Sequence, residues 1–110
     1  MEERITVGKS RRSTTLEKTR QKSIVRYLNA VPECKAEVRT QTGYGIKGGA
    51  DIFGCYKSRH FELEVKQPKK QPTKLQKKSL EDWSLVGAIT GRVEDIATMR
   101  QVFRKHGVEI

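Results

Sequence analysis

Residues 48–67 read GGADIFGCYKSRHFELEVKQ, and the reading of this stretch decides the fold. A glycine pair leads into Ala50-Asp51 and a strand-like run to Tyr56. Lys57-Ser58 and Arg59 supply a turn, and Phe61 to Gln67 alternates apolar and polar residues. Strand side chains alternate between faces, so Phe61, Leu63 and Val65 share one face while Glu62, Glu64 and Lys66 share the other. Two strands joined by so short a turn pair antiparallel. The hairpin then sets Asp51 opposite the Val65–Lys66 end, beside Glu64. His60 is expected on the apolar side as a structural residue.

Upstream, the spacing of Leu16, Ile24, Val25 and Leu28 predicts a helix from Leu16 to about Ala30. Thr14-x-x-Glu17 is a capping-box start signal, and Pro32 is a stop. Glu17, Gln21, Ile24 and Leu28 lie three or four apart, which turns Glu17 along the inward face. Residues 1–13 (MEERITVGKSRRS) are basic and aperiodic, and read as a flexible arm ahead of a single domain over 14–110. Residues 36–42 alternate weakly and fit a first strand, and 43–49 form a glycine-rich loop. Downstream, Gln67 to Pro72 is a basic loop, and Thr73-x-x-Gln76 opens a helix to about Trp83, with Trp83 in the core. Leu85 to Thr90 reads as a short apolar strand. Glu94 to His106 reads as a last helix, with Ile96, Met99 and Phe103 inward and Gly107 as its stop.

The expected order is helix, three strands, helix, strand, helix. Strands three and four, joined through a helix, should run parallel with a right-handed crossover. The fold class is α/β, a mixed sheet flanked by helices.

The 110 residues suffice for one modest core. A small core favours a homodimer, because association buries surface that one subunit cannot cover. Lys and Arg number 23 against 13 Asp and Glu, a formal charge of +10. Such a surface suits a polyanion, and nucleic acid is the first candidate, because each phosphate neutralised releases a counterion. No apolar run approaches transmembrane length and no amphipathic aromatic face would anchor the chain to lipid, so no membrane partner is expected. The N-terminus lacks a signal-peptide core, and a cytoplasmic setting is expected. Cys34 and Cys55 suit neither a disulfide framework nor a zinc finger, and read as reduced, at least semi-buried thiols.

Asp51, Glu64 and Lys66 carry the chemistry. Glu64-x-Lys66 alone is what any half-exposed strand looks like. Two carboxylates and an ammonium converging on one patch is what phosphodiester hydrolysis needs. Hard oxygen ligands hold Mg²⁺ or Mn²⁺, and a neighbouring lysine orients water or balances developing charge. The glycine pair allows close backbone approach to a ligand before Asp51. The basic loop after Lys66 lies where a nucleic-acid backbone would pass.

Taken in order, Glu17-x-x-x-Gln21 with Ile24-Val25-x-x-Leu28, Gly-Gly-Ala-Asp51-Ile-Phe-Gly54, Leu63-Glu64-Val65-Lys66, Thr73-x-x-Gln76 and a strand containing Gly87 resemble the PD-(D/E)XK nuclease superfamily. More narrowly they look like a stand-alone VRR-NUC domain, over roughly residues 16–105. The connection from Asp51 to Glu64 is compact beside the family pattern. The resemblance implies a restriction-endonuclease-like αβββαβ core with a C-terminal helix. It implies that Asp51 and Glu64, helped by the Val65 carbonyl, ligate a catalytic Mg²⁺ or Mn²⁺, and that Lys66 is the catalytic lysine. Glu17 would bind a metal-bound water or second ion, and Gln76 would reach the site from the helix after the catalytic strand. Glu17 and Gln76 can equally serve their capping boxes. Tyr44, Lys47, Lys69, Lys70 and Lys74 are the candidate nucleic-acid contacts.

The function this implies is a metal-dependent endonuclease acting on DNA, with four-way or other branched DNA as preferred substrate and a phage or bacterial setting. The alternative is a catalytically silent nucleic-acid-binding module. A ribosomal or nucleoid structural protein ranks behind both, because it would leave the acid-acid-lysine set idle.

Overall fold

The computed structural model describes residues 2–40 and 48–110, with side chains from Leu16 onward. The elements are α1 (Glu2–Asn29), β1 (Cys34–Val38), β2 (Ile52–Tyr56), β3 (Arg59–Val65), α2 (Lys74–Leu85), β4 (Ile89–Val93) and α3 (Ile96–Lys105). The strands form one sheet in the order β1-β2-β3-β4. β1–β2 and β2–β3 are antiparallel and β3–β4 is parallel. This is the mixed α/β sheet and the αβββαβα order expected of the sequence.

The two faces of the sheet are built differently. Ile24 and Leu28 of α1 and Met99 and Phe103 of α3 are fully buried with Ile52, Phe61, Leu63, Val65, Ile89 and Val93. Phe61 and Phe103 meet edge to face at 5.4 Å. Ala36 joins this core, and Asn29 secures it there: its side chain takes the Ala36 N–H at 2.7 Å and donates to the Ala36 carbonyl at 3.1 Å, doing what a further strand would do. α2 covers the opposite face and buries none of its own residues fully. Its Trp83 lies on His60 with ring centroids 4.2 Å apart.

The hairpin turns through Lys57 and Ser58, both with positive φ (46° and 69°), the pairing that matches strand twist in a two-residue loop. The register Ile52↔Leu63 places Asp51 across from Glu64.

Several expectations are corrected. α1 does not begin at Thr14: its backbone is helical from Glu2, so Thr14-x-x-Glu17 lies inside a helix rather than opening one, and the backbone of residues 2–13 is continuous with α1. No proline interrupts this segment, and Glu2-Glu3 suits the positive end of a helix dipole. Leu16 is half exposed, outside the core. β1 starts and ends earlier than residues 36–42, and positions 41–42 of that expectation lie outside the described residues. β4 begins at Ile89, not Leu85. Leu85 is the last residue of α2, and Leu85 and Val86 are exposed. Gly87, at φ 98°, reverses the chain after the helix: its N–H bonds Ser84 and that of Ala88 bonds Trp83, the paired C-terminal closure that favours glycine. His60 stands on the same face as Glu62 and Glu64, and Trp83 is a partly exposed lid on His60 rather than a core residue. Cys55 is exposed, while Cys34 is half-buried, its thiol pushed up by burial first and by the nearby Cys55 second.

Candidate active site

Asp51 immediately precedes β2, and its Oδ2 accepts the Val65 N–H at 2.9 Å. One carboxylate oxygen is thereby fixed against the end of β3. Glu64, 1% exposed, lies against the same carboxylate. Two carboxylates are both acceptors, so a hydrogen bond between them needs a proton on one. Lys66 Nζ stands 3.6 Å from Glu64 Oε2, a long ion pair. Glu64 Oε1 is buried and has no hydrogen-bond partner among the described residues. Burial above all, then the Asp51 carboxylate, pushes the Glu64 carboxyl up to about 8, and Lys66 pulls only partly the other way.

A buried oxygen without a donor is costly, and a cation placed there would satisfy it. The donor set of Asp51 and Glu64 oxygens is the hard one that Mg²⁺ or Mn²⁺ takes. The residues present therefore fit such an ion. The structure brings Asp51, Glu64 and Lys66 together as the hairpin register requires. Val65 contributes its N–H to Asp51.

The outer residues are placed differently. Glu17 is half-buried on the inward side of α1, in line with Ile24 and Leu28. Among the described residues no group of three or more His, Cys, Asp or Glu is gathered for a metal, so Glu17 does not join the Asp51–Glu64 pair. Gln76 uses its Oε1 to accept the Thr73 N–H at 2.8 Å, while Thr73 Oγ1 takes the Gln76 N–H. It serves the capping box that opens α2. The glycine pair has a packing role: Gly48, at φ 82°, lies so close to the backbone of Leu75 that a Cβ would stand 2.8 Å from its carbonyl oxygen. The neighbour that demands glycine at position 48 is the first turn of α2. Tyr44 and Lys47 lie outside the described residues.

Two arginines escaped the sequence reading. Arg92 follows Gly91 on β4, in register with Glu64. It donates to the carbonyls of Lys70 (2.7 Å) and Gln67 (3.0 Å) and to Glu94 Oε2 (2.7 Å). With Lys70 N–H on Gln67 O at 3.0 Å, this holds residues 67–70 as a built turn, with Lys69 at φ 71°. Lys69, Lys70 and Lys74 are exposed beside it. Arg39, just past β1, forms two bonds to Glu62, at 2.8 and 2.9 Å. Glu62 is wholly buried and also bonds His60 Nε2 at 2.6 Å. Both arginines sit in polar surroundings where nothing in the local pattern separates them from solvated charge. Only the fold brings their partners within reach.

No protein family model, no curated protein and no solved structure matches this chain. Among the described residues no helix is long and apolar enough to cross a membrane.

Proposed function

We propose that the chain is a Mg²⁺- or Mn²⁺-dependent endonuclease of the PD-(D/E)XK type, resembling a stand-alone VRR-NUC domain, that hydrolyses phosphodiester bonds in branched DNA. The observation that carries this reading is the buried Glu64 Oε1, unpartnered among the described residues, against Asp51 and beside Lys66. When bound, the divalent ion would supply Lewis-acid polarisation of the phosphate and a more acidic water. Asp51, with one oxygen fixed by the Val65 N–H, and Glu64 would hold the ion. Lys66, its side chain still 20% exposed, would place positive charge where the phosphate and the attacking oxygen meet. The turn at 67–70 and Lys74 would take the backbone of the strand being cut, on a chain of net charge +10. A homodimer, with two sites related by a two-fold axis, suits paired cuts in a four-way junction.

The test is a panel of labelled linear, flap and four-way DNA incubated with Mg²⁺ or Mn²⁺. Cleavage is expected, and Asp51→Ala or Lys66→Ala should abolish it while DNA binding persists. Cleavage that survives both substitutions sinks the site. A second reading, a catalytically silent nucleic-acid-binding module, is favoured by Gln76 being committed to its cap and Glu17 standing apart. Calorimetry with Mn²⁺ separates the two, since a silent module has no need of the ion.

A further inference from the structure

We propose that Arg39 is a positioning residue for Asp51, and that buried Glu62 serves to hold the Arg39 guanidinium in that role. This rests on the reading of Asp51 and Glu64 as a cation site. Asp51 precedes the regular part of β2, so the β1–β2 ladder, which ends at the Val38↔Ile52 pair, does not by itself fix it. Arg39 extends that ladder by one bond, its N–H donating to the Asp51 carbonyl at 2.7 Å. Its side chain turns back on the preceding peptide unit, with Nη1 on the Ala50 carbonyl at 3.3 Å. One residue thus grips both carbonyls that flank the Asp51 amide and Cα.

The guanidinium is itself anchored. Nη1 and Nη2 bond the two oxygens of Glu62 as a planar fork, and the cation lies 4.7 Å over the Phe53 ring. His60 Nε2 holds Glu62 Oε2 from the other side and is stacked on Trp83 of α2. A ligand carboxylate must be fixed in place before the ion arrives, and groups that orient ligands without touching the ion commonly set affinity by about 10–100-fold. Lysine keeps the charge of Arg39 but cannot make the fork and reach Ala50 together.

The test is Mn²⁺ calorimetry on the DNA-free protein, with circular dichroism to confirm folding. Wild type should bind Mn²⁺, and Arg39→Lys should weaken binding about tenfold with the fold kept. His60→Phe is the control. It takes a donor from the same Glu62 without touching the Ala50–Asp51 peptide, so it should lose stability and keep its Mn²⁺ affinity. If Arg39→Lys does not fold, Glu62→Gln replaces it, since it breaks the two-oxygen fork on the guanidinium while leaving the Arg39 N–H bond, and the same weakening is expected. Wild-type affinity in Arg39→Lys or its replacement, or an equal loss in His60→Phe, overturns the positioning role while leaving the cation site standing. No Mn²⁺ binding by wild type removes the cation site and this inference with it.

Discussion

Glu62 and Glu64 stand two residues apart on one face of β3, and both are buried, at 0% and 1% exposure, yet they are treated in opposite ways. Glu62 accepts two bonds from Arg39 and one contact from His60, all between 2.6 and 2.9 Å. Among the described residues Glu64 has a single long ion pair to Lys66, a second carboxylate for a neighbour, and one oxygen with no partner. A buried charge is tolerated when it is paired and fully hydrogen-bonded, and Glu62 meets that condition. Glu64 does not meet it from the described residues alone. The difference separates a carboxylate whose charge its neighbours satisfy from one whose charge the described residues leave unsatisfied.

The sharpest way to break this contrast is to strip Glu62 of its fork. Arg39→Ala leaves a fully buried carboxylate with His60 alone, and should destabilise the fold by about 3–5 kcal/mol in urea unfolding. A loss below about 1 kcal/mol would mean that Glu62 is not held as described. The matched change at the other position has the opposite sign. The folded carboxyl of Glu64 is pushed up to about 8 from its ordinary 4.5, so between these pH values the native state binds a proton that the unfolded state releases. Stability without metal should be fullest below pH 4.5 and fall as pH rises toward 8, by roughly 2–4 kcal/mol. Glu64→Gln removes that loss, and should be the more stable protein at pH 8 while differing little near pH 4.5. Unfolding curves at the two pH values decide it; a variant destabilised at pH 8 would show that the Glu64 charge is satisfied after all.

The contrast was only half legible in the sequence. Alternation in Phe61-Glu62-Leu63-Glu64-Val65-Lys66 and the turn at Lys57-Ser58 placed Asp51 beside Glu64, because a tight hairpin leaves little freedom of register. Thr73-x-x-Gln76 marked the start of α2, because a capping box is a local interaction. What joins residues distant in the chain left no such trace. Local alternation does not tell Glu62 from a charge on a solvated face, because Arg39 and the α2 lid that bury it lie elsewhere in the chain. His60 was set on the wrong face although it shares the parity of Glu62. The exposed pair Leu85-Val86 drew β4 too early, because hydrophobicity alone does not tell a helix end from a strand start.

A smaller effect is expected at the far side of Glu62. His60→Phe keeps a ring against Trp83 but removes one donor from the carboxylate, and should cost about 1–2 kcal/mol. Trp83 is the only tryptophan in the chain, so its emission follows this unfolding directly.

The smallest effect belongs to Lys66. Among the described residues Lys66, 3.6 Å away, is the only cation that lowers the Glu64 carboxyl, against burial and Asp51, both of which raise it. Lys66→Met keeps most of the apolar stem and removes the charge. At pH 5, where Glu64 is protonated in the folded state, there is no ion pair to lose, and stability should be unchanged. Near pH 8, where the carboxylate begins to form, the loss should be about 1 kcal/mol or less, because the pair is long and partly open to water. The Glu64 titration, followed by carboxyl carbon NMR, should move upward from about 8, since the lowering influence of Lys66 is gone. A downward movement would place some other cation beside Glu64 and end the distinction from Glu62. An upward one leaves Glu64 as a buried acid that only an added positive charge can hold ionised.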